Sequence, residues 1–525
     1  MVIDKKLKPR PVYIDRLPPC NNACLIGQNI QKWLSLAKKS KFREAWEVIM
    51  QNNPMPAVLG RVCYHPCEDA CNRFGFDSPV NINAVEKFLG DMALNENWMV
   101  KSNVEKTGKK VLIIGAGPAG LSAAYHLCLL GHKAIIYEAG SVAGGMTHYG
   151  IPKYRLPREI IDAEAKRIQN MGVEIIFNHK VGDVVAERDK GSFDAVFIAV
   201  GAPLGRKVEI PCEGKGCVLI DSVKFLYDVE FNKPPQIAGQ KVVVYGGGNT
   251  AIDAARTAVR LGAENVEIVY RRNREMMPAF DFEVAEASEE GIGLRLLRTI
   301  KQIKDKDITL DIMELNEESW PCPIGEIEHI SADTVILAMG LNVDTDFLRK
   351  IQSIKFGSDN TVVIDDQMMT GYKGIFAGGD VISTDRSVTI AVGQGKKAAY
   401  NIDAYLRGKE YIKSPKHELA DYEKLHTYFY NKTDRKERSQ ISFPERNETF
   451  NEVVHGFEEH EVISEANRCF SCGNCFECDT CFNVCPVKAI TKLGPGKRYR
   501  IDDEVCIRCG LCAKKCPCGA IKMSE

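Results

Sequence analysis

The sequence predicts an α/β protein of several domains, in which two nested strand–turn–helix folds lie between cysteine-rich segments. Two apolar strands each lead into a glycine turn and a helix, and many of the 20 cysteines lie near the two ends of the 525-residue chain. A chain of this length exceeds a single hydrophobic core. The 69 Lys and Arg balance 70 Asp and Glu, so the composition indicates neither a nucleic-acid partner nor an acidic membrane surface.

The first glycine turn, GAGPAG at residues 115–120, follows a strand at 111–114 and precedes an alanine-rich helix. The next strand, at 134–137, ends in Glu138. Such glycines let the backbone approach a pyrophosphate, and a carboxylate at this distance suits a ribose hydroxyl. The pattern predicts a Rossmann-like dinucleotide-binding fold. Residues 111–130 are apolar enough to resemble a membrane span, but their glycines and Pro118 favour strand, turn and helix.

The second glycine turn, GGGNTA at residues 246–251, repeats this arrangement, with a strand at 241–245 before it and a helix after it. Here the following strand, at 266–270, ends in Arg271 and Arg272. Arginine accepts a 2′-phosphate, whereas a carboxylate selects a free 2′-hydroxyl, so this site favours NADPH over NADH. The alternative is that the two arginines only cover the protein surface.

One strand ends in a carboxylate and the other in two arginines. This difference predicts a flavin in the first fold and a nicotinamide in the second. GIFAGGDV at 374–381 resembles the returning strand of flavoprotein disulfide reductases, whose aspartate, here Asp380, binds the ribityl chain of FAD. A helix at 389–405 would direct its N-terminus at the flavin ring. Closing strands are expected at 194–201 and 333–340. The NADPH domain is therefore expected to be inserted within the FAD domain.

Two runs of the form Cys-x2-Cys-x2-Cys-x3-Cys-Pro begin at Cys475 and Cys506. This is the signature of a ferredoxin with two 4Fe-4S clusters, in which the fourth cysteine of each run binds the other cluster. The alternatives, a zinc ribbon or a disulfide knot, fit the spacing less well. The expected sets are Cys475, Cys478, Cys481 with Cys516, and Cys506, Cys509, Cys512 with Cys485.

Further cysteines in the amino-terminal region form a weaker signature. Cys20 and Cys24 precede a helical stretch at 28–50, and Cys63, Cys67 and Cys71 precede a helix from about residue 83 that carries Glu86. If residues 63–71 were helical, their three thiols would line one face. Together with Cys469 and Cys472 this makes seven cysteines for two further cubanes, so Glu86 is the candidate eighth ligand. The remaining cysteines, Cys128, Cys212, Cys217, Cys322 and Cys518, are expected to be ordinary thiols.

The chain resembles the glutamate synthase small-subunit family of iron–sulfur flavoproteins and the amino-terminal half of dihydropyrimidine dehydrogenase. The matching stretches are PMPAVLGRVC at 54–63, CEDAC at 67–71, GGMTHYGIPKYRLP at 144–157, GGGNTAID at 246–253 and YRR at 270–272. The nearest architecture is the flavoprotein that exchanges electrons between NAD(P)H and dissimilatory sulfite reductase. The dehydrogenase's FMN barrel and pyrimidine site have no counterpart here.

The resemblance implies one amino-terminal cluster at Cys24, Cys63, Cys67 and Glu86. It implies a second at Cys20 and Cys71, completed by a Cys-x2-Cys that the family places just before the residue matching Cys20. Residues 7–19 contain no cysteine, whereas the family's lead-in pattern stands at EANRC, residues 465–469. We therefore hypothesise that Cys469 and Cys472 fold back to complete this cluster. The alternative is a spare Cys-x2-Cys beside the ferredoxin.

These features predict an NAD(P)H-dependent oxidoreductase that passes electrons from NADPH through FAD and 4Fe-4S clusters to or from a partner. The expected partner is an enzyme of the sulfite reductase type or the 2-oxoacid:ferredoxin oxidoreductase type, or a free ferredoxin. Hydride transfer needs positioning more than an acid or base, so no catalytic proton donor is nominated. The alternatives are a self-contained reductase of a small metabolite and a redox sensor or scaffold.

The expected location is the cytoplasm, because the first 19 residues lack the apolar core of a signal peptide and clustered thiolates need a reducing compartment. No nucleic acid or membrane partner is expected, and a homodimer or hetero-oligomer is compatible with the sequence. The predicted domains are a helical iron–sulfur domain (1–105), an FAD domain in two parts (106–235 and 366–410), an NAD(P)H domain (236–365), a linker and docking segment (411–464) and a ferredoxin domain of α+β type (465–525).

The residues expected to contact FAD or the nicotinamide cofactor are Ala116, Gly117, Pro118, Ala119, Gly120, Glu138, Gly145, Arg155, Val181, Gly201, Gly246, Gly247, Gly248, Asn249, Thr250, Arg271, Arg272, Ala338, Gly340, Gly379, Asp380 and Thr389. The residues expected to bind iron are Cys20, Cys24, Cys63, Cys67, Cys71, Glu86, Cys469, Cys472, Cys475, Cys478, Cys481, Cys485, Cys506, Cys509, Cys512 and Cys516.

Overall fold

The computed structural model describes residues 9–100, 104–413, 415–494 and 496–524, which fall into two compact units. The cysteine unit comprises the described residues of Met1–Lys101, Glu410–Arg438 and Gly456–Glu525. The nucleotide unit comprises those of Ser102–Lys409 and Ser439–His455. Residues 1–8 and 101–103 of the predicted domain 1–105, and the start of the segment inspected for a signal peptide, lie outside the described residues.

The amino-terminal part of the cysteine unit is mainly helical. Its elements are β1 (Pro11–Tyr13), α1 (Pro19–Ala23), α2 (Ile30–Ala37), α3 (Phe42–Met50), α4 (Pro56–Val62), α5 (Pro66–Asp69) and α6 (Ile82–Asn95). The apolar faces of α2 and α3 bury Trp33 and Trp46 completely. In α6, the Asn81 side chain caps the helix by accepting from the Ala84 backbone N–H, which fixes where the helix begins.

The prediction of one helical stretch at 28–50 was wrong in detail, and the helix considered for residues 63–71 does not form. The stretch at 28–50 is broken between α2 and α3, where Ser40 has a φ of 55°. Residues 63–71 do not form one helix, because Cys63 is extended after α4, His65 is left-handed, and only Pro66–Asp69 is helical. Pro66 excludes helix at the residue before it and favours the first turn after it. The three thiols therefore do not follow a helical face.

The nucleotide unit begins with β2 (Lys110–Ile114), α7 (Pro118–Leu129), β3 (Lys133–Tyr137), α8 (Met146–Tyr149), α9 (Arg158–Asn170), β4 (Glu174–Ile176), α10 (Val184–Gly191), β5 (Ala195–Ile198), β6 (Leu204–Gly205), β7 (Cys212–Glu213), β8 (Val218–Asp221) and α11 (Ser222–Glu230). It continues with β9 (Lys241–Tyr245), α12 (Asn249–Arg260), β10 (Asn265–Tyr270), α13 (Asp281–Glu289), β11 (Gly293–Leu296), β12 (Arg298–Lys304), β13 (Asp307–Leu315), β14 (Pro321–Ser331), β15 (Thr334–Leu337), β16 (Leu341–Asn342), β17 (Ile375–Ala377), α14 (Val388–Leu406) and α15 (Phe443–Glu448).

Two parallel sheets form the framework of this unit. The first has the strand order β17-β5-β2-β3-β4 and the second β11-β10-β9-β15-β8. Because β17 joins the first sheet after the whole second sheet has been completed, the second fold is an insert in the first. The predicted nested α/β architecture is thus confirmed. A further sheet, β14-β13-β12-β7, shares an apolar core with β9, β10 and β15.

The carboxy-terminal part of the cysteine unit contains α16 (Glu459–Arg468), α17 (Thr480–Asn483), β18 (Ile490–Thr491), β19 (Arg500–Ile501), α18 (Leu511–Lys515) and β20 (Ile521–Met523). The helix expected at 450–466 begins only at Glu459, where Glu458 and Glu461 form a capping box. Strand β1 pairs antiparallel with β20, so Pro11 lies opposite Met523. The two cysteine-rich ends of the chain therefore belong to the same folded unit.

The described part of the predicted linker, 411–464, is shared between the two units, because Ser439–His455 belongs to the nucleotide unit. The apolar run at 111–130 forms β2, the glycine turn and α7. Within the described residues, no helix combines the length and the apolar composition needed to cross a membrane.

Candidate redox sites

The first glycine turn lies at the carboxyl end of β2, and α7 begins directly after it. Gly115 has a φ of 104°, and a Cβ at that residue would come within 2.6 Å of the Ala199 carbonyl oxygen. At Gly117, by contrast, no described heavy atom would lie within 4 Å of an added Cβ. The loop therefore leaves space beside the helix N-terminus, which suits a pyrophosphate.

Glu138 closes this turn from the end of β3. One carboxylate oxygen accepts from the Ala116 N–H and the other from the Gly140 N–H, each at 2.7 Å. These bonds fix the carboxylate at the rim of the loop, where a ribose hydroxyl is expected. Gly145, with a φ of 52°, approaches the same loop, because its added Cβ would lie 3.0 Å from the Gly117 Cα.

Asp380 follows β17 and provides a test of whether FAD fits. Its Oδ1 is buried and has no hydrogen-bond partner among the described residues, and burial raises the pKa of this carboxyl to about 6. A buried polar atom without a partner is costly, and a hydroxylated chain such as the ribityl group would supply one. The residues present therefore fit FAD. Beside it, Gly379 has a φ of 78° and donates its N–H to Gln394 Oε1, and Thr389 lies buried in the first turn of α14.

The remaining residues predicted for the first cofactor have different surroundings. Gly201 has a φ of 67°, and Val181 is part of the apolar core beneath the first sheet. Arg155 forms a buried ion-pair group with Asp253 of α12, at 2.8 Å, and with Glu283 of α13. Sequence reasoning missed these two carboxylates as partners of Arg155, although Asp253 stands within the quoted GGGNTAID motif.

The second glycine turn lies at the carboxyl end of β9. A Cβ at Gly246 would meet the Ala338 carbonyl oxygen at 2.2 Å, and one at Gly247 would meet the Tyr270 ring at 2.5 Å. Gly248 faces space that no described heavy atom fills within 4 Å. Asn249 begins α12, and its side chain accepts from the Phe280 N–H at 3.2 Å. Thr250 follows it in the same first turn, and Gly340, with a φ of 101°, follows β15.

The two arginines after β10 differ in their surroundings. Arg271 is exposed, whereas the Arg272 guanidinium lies 5.3 Å from the centre of the Trp320 ring. The Arg272 Nε is buried and has no hydrogen-bond partner among the residues that the structure describes. This placement is compatible with a 2′-phosphate, since both side chains follow the strand that ends beside the second glycine turn. Trp320, on the approach to β14, gave no recognisable signal in the sequence.

The structure brings the ferredoxin cysteines together in the predicted crossed pattern. Burial and the neighbouring thiols of Cys475, Cys516 and Cys478 raise the pKa of Cys481. The second set, Cys485, Cys506, Cys509 and Cys512, lines one cavity. Backbone N–H groups donate to several of these sulfurs, for example Ala489 to Cys485 and Ala520 to Cys516. Hydrogen bonds to ligand sulfurs are one determinant of cluster potential.

A third group contains Cys24, Cys63, Cys67 and Glu86. Burial, Glu68 and the neighbouring Cys24 and Cys63 raise the pKa of Cys67, and burial together with Glu86 raises the pKa of Cys24. Glu86 is buried in α6, and burial raises its pKa to about 7. Its Oε1 accepts from Gln28 Nε2 at 2.5 Å and from Asn53 Nδ2 at 2.8 Å. Sequence reasoning missed these two amides, because they lie far from Glu86 along the chain.

A fourth group contains Cys20, Cys71, Cys469 and Cys472, which line a single cavity. All 20 cysteines are free thiols in the structure. Among the described residues, no three side chains of His, Cys, Asp or Glu are placed to hold one metal ion. Cys518, expected to be an ordinary thiol, is buried with its sulfur 3.7 Å from that of Cys516.

The nested sheets, the two open glycine turns and the grouped cysteines define an oxidoreductase that combines FAD, a pyridine nucleotide and 4Fe-4S clusters. Residues 109–395 match the family described as pyridine nucleotide-disulphide oxidoreductase. Residues 15–98 match dihydropyrimidine dehydrogenase domain II, 4Fe-4S cluster, and residues 474–520 match the 4Fe-4S dicluster domain. The chain belongs to the pyridine nucleotide-disulphide oxidoreductase family.

Curated relatives cover most of the chain. It is 35% identical over 498 residues to the NADP(+)-dependent formate dehydrogenase subunit beta of Moorella thermoacetica, covering 86% of this chain and 70% of the relative. It is 34% identical to the NADPH-Fe(3+) oxidoreductase subunit beta of Geobacter sulfurreducens, covering 88% and 76%. It is 33% identical to the glutamate synthase [NADPH] small chain of Escherichia coli K12, covering 74% and 89%. The resemblance and the cofactor classes predicted from the sequence are thereby confirmed.

Proposed function

We propose that this chain is the NADPH-dependent electron-transfer subunit of a larger redox enzyme. The observation that carries the proposal is the presence, in one chain, of two open glycine turns and a crossed ferredoxin cysteine set. Bound FAD would exchange a hydride with NADPH and single electrons with the clusters. Glu138 would hold the ribose of FAD and Asp380 would hold its ribityl chain. The turn at Gly248 would hold the nicotinamide dinucleotide.

Two cluster sites of the ferredoxin part follow the crossed sets, Cys475, Cys478, Cys481, Cys516 and Cys485, Cys506, Cys509, Cys512. A third cluster would be held by Cys24, Cys63, Cys67 and Glu86, and the Glu86 carboxylate accepts hydrogen bonds from Gln28 and Asn53. The exposed Cys509 supports the second ferredoxin cluster as the point of exchange with a partner. Electrons would thus enter or leave through the carboxy-terminal part of the chain.

NADPH is proposed as the preferred nucleotide, and this preference is supported by Arg271 and Arg272, which directly follow the strand beside the second glycine turn. Two of the relatives named above, from Moorella and Geobacter, carry NADP or NADPH in their names. The partner is a redox protein: a dehydrogenase or sulfite reductase-type catalytic subunit, a 2-oxoacid:ferredoxin oxidoreductase-type enzyme, or a free ferredoxin. The abundant free thiols favour the cytoplasm as the location.

Anaerobic purification of the tagged chain from its native host tests this function. We expect NADPH to reduce an artificial dye without any small-molecule substrate, and a second oxidoreductase to copurify in a stoichiometric amount. NADH should support a slower reaction. Absence of dye reduction by the FAD-loaded, iron-replete chain would contradict the proposal.

A self-contained reductase is the second candidate function, and it would need a substrate site such as a cavity found in the nucleotide unit. This cavity has a volume of about 230 Å³, and its walls include Tyr149, Leu226, Thr257 and Phe450. None of the residues predicted to contact either cofactor lines it, which favours the electron-transfer function instead. Turnover of a metabolite by the purified chain alone would support the second candidate.

A further inference from the structure

We propose that Cys20, Cys71, Cys469 and Cys472 bind one 4Fe-4S cluster assembled from both ends of the chain. The matched iron–sulfur families span residues 15–98 and 474–520, so neither includes the second pair of cysteines. Yet all four thiols line one cavity of the cysteine unit. The assignment of these four ligands is independent of the proposed function, whereas the role of the cluster as an electron relay rests on that function.

The rest of the cavity wall suits an iron–sulfur cubane rather than a polar ligand. It is mainly apolar, with Leu34, Val80, Ile82 and Phe470, and its polar side chains are those of Gln31, Asn72 and Arg73. Four thiolates in apolar surroundings are the donor set of a 4Fe-4S cluster. Zinc binds the same four-cysteine set, so metal identity has to be part of the test.

The backbone before Cys469 is held by a buried carboxylate. Glu465, fully buried on α16, accepts from the Asn81 N–H at 2.9 Å and from the Lys436 N–H at 2.6 Å. It also forms an ion pair with Arg468 at 3.0 Å. Because Asn81 also caps α6, this carboxylate ties the approach to Cys469 to the amino-terminal helices.

A second network joins the residues after Cys71 to the residues before Cys469. The Arg73 guanidinium lies 5.2 and 4.9 Å from the ring centres of Phe76 and Phe470, and it donates to the Arg468 carbonyl oxygen at 2.6 Å. Arg468 in turn donates to the Ser78 carbonyl oxygen at 2.7 Å. These buried, charge-assisted bonds fix the two cysteine pairs relative to each other.

The sulfurs of the carboxy-terminal pair receive directed hydrogen bonds. Asn72 Nδ2 donates to the Cys472 sulfur and the Ser471 N–H donates to the Cys469 sulfur, each at 3.4 Å. Asn72 directly follows Cys71 in the chain. Amide donors aimed at sulfur are typical of cluster ligands, and a spare Cys-x2-Cys has no need for a donor from the opposite end of the chain.

This site adjoins the ferredoxin through aromatic side chains. Tyr430 donates its hydroxyl to the Phe470 carbonyl oxygen at 2.7 Å, and its ring lies 4.5 Å from Phe470 and 6.4 Å from Phe476. Phe476 directly follows Cys475, the first ligand of the ferredoxin. The cluster would therefore be the relay between the amino-terminal cluster and the ferredoxin.

Three variants of the full chain test the shared site: Cys469→Ser with Cys472→Ser, Cys20→Ser with Cys71→Ser, and all four substitutions together. We expect each double variant to lose about four iron and four sulfide per chain, and the quadruple variant to lose no more. FAD content and the other reduced-cluster signals in electron paramagnetic resonance should remain. The matched control, Cys212→Ser with Cys322→Ser, replaces two exposed thiols and should retain all iron.

Unchanged iron in either double variant would overturn the proposal, as would zinc in place of four iron atoms in the wild type. Twice the iron loss in the quadruple variant would mean two separate sites and would also overturn it. Asn72→Leu covers the case in which the serine variants misfold, since it keeps every ligand. It should lower the midpoint potential of one cluster only; unchanged potentials of all clusters would contradict the assignment.

Discussion

Asp380 is the residue on which the expected FAD site can be tested in the cofactor-free protein. Its Oδ1 finds no partner among the described side chains and backbone groups, and burial raises its pKa from 3.8 to about 6. The GGD sequence at 378–380 made the residue identifiable from the chain alone. The burial of Asp380 could not be predicted from the chain alone. It depends on the packing of β17 against β5, and the whole inserted domain separates these two strands in the sequence.

The raised pKa of Asp380 predicts a pH dependence of stability in the FAD-free protein. The folded state binds the proton more tightly than the unfolded state, so this residue makes the folded state less stable as pH rises from about 4 to about 6. We expect wild type to lose on the order of 2–3 kcal/mol relative to Asp380→Asn over this window, with no further change above it. Urea unfolding of both FAD-free proteins measures the difference; a constant difference from pH 4 to 7 would refute it.

Arg271 is the residue on which the nucleotide preference can be tested. A charge-assisted hydrogen bond contributes about 1.5–3 kcal/mol, so Arg271→Ala should raise the KM for NADPH at least about tenfold and leave the KM for NADH unchanged. Steady-state dye reduction with both nucleotides gives the two values. Arg274→Ala is the control, because that arginine lies nearby but is paired with Asp281 at 2.6 Å. An equal loss with NADH would show that Arg271 does not bind the 2′-phosphate.

At the scale of elements, local patterns predicted both nucleotide folds well and the cysteine segments less well. The strands and helices around the glycine turns lie within a few residues of the expected positions, because strand periodicity, glycine and helix onset indicate the same structure. The helix expected at 28–50 is interrupted at Ser40, and residues 63–71 are mostly irregular. In these segments the backbone conformation is set by the positions of the thiols and by packing against α6. Local propensity does not encode either of these.

Helices α4 and α6 pack so closely that glycine is required at their crossing. A Cβ at Gly90 would lie 2.4 Å from the Ala57 backbone nitrogen, and one at Gly60 would lie 2.4 Å from the Lys87 Cα. Gly90→Ala should therefore separate the helices and cost about 1–3 kcal/mol, as overpacking does. Since α4 leads into Cys63 and α6 carries Glu86, iron content should fall together with the melting temperature.

The control for this crossing is Gly456→Ala, because no described heavy atom lies within 4 Å of its added Cβ. Its iron content and melting temperature should match those of wild type. Equal behaviour of the two alanine variants would contradict the close-packing argument.

At the scale of the whole molecule, the chain is not a series of modules in sequence order. The second dinucleotide-binding fold lies within the first, and the first and last described strands of the cysteine unit pair with each other. Cysteine counting indicated that the two ends are joined, since the five amino-terminal cysteines and Glu86 supply only six of the eight ligands that two clusters need. The β1–β20 pairing itself had no sequence signal, because three-residue strands carry too little pattern and their register is set by tertiary contacts.

The β1–β20 pairing predicts that the amino-terminal strand protects the ferredoxin clusters. Val12 lies opposite Lys522, and the next residue, Tyr13, has its hydroxyl 3.4 Å from the Cys481 sulfur. Val12→Pro removes the backbone donor and should disrupt the pairing, whereas Val12→Thr keeps both donor and β-branching. We expect the ferredoxin signals to decay several-fold faster in air in the proline variant only, with FAD content unchanged. Equal decay in both variants would show that the ferredoxin part folds and holds its clusters without the other end of the chain.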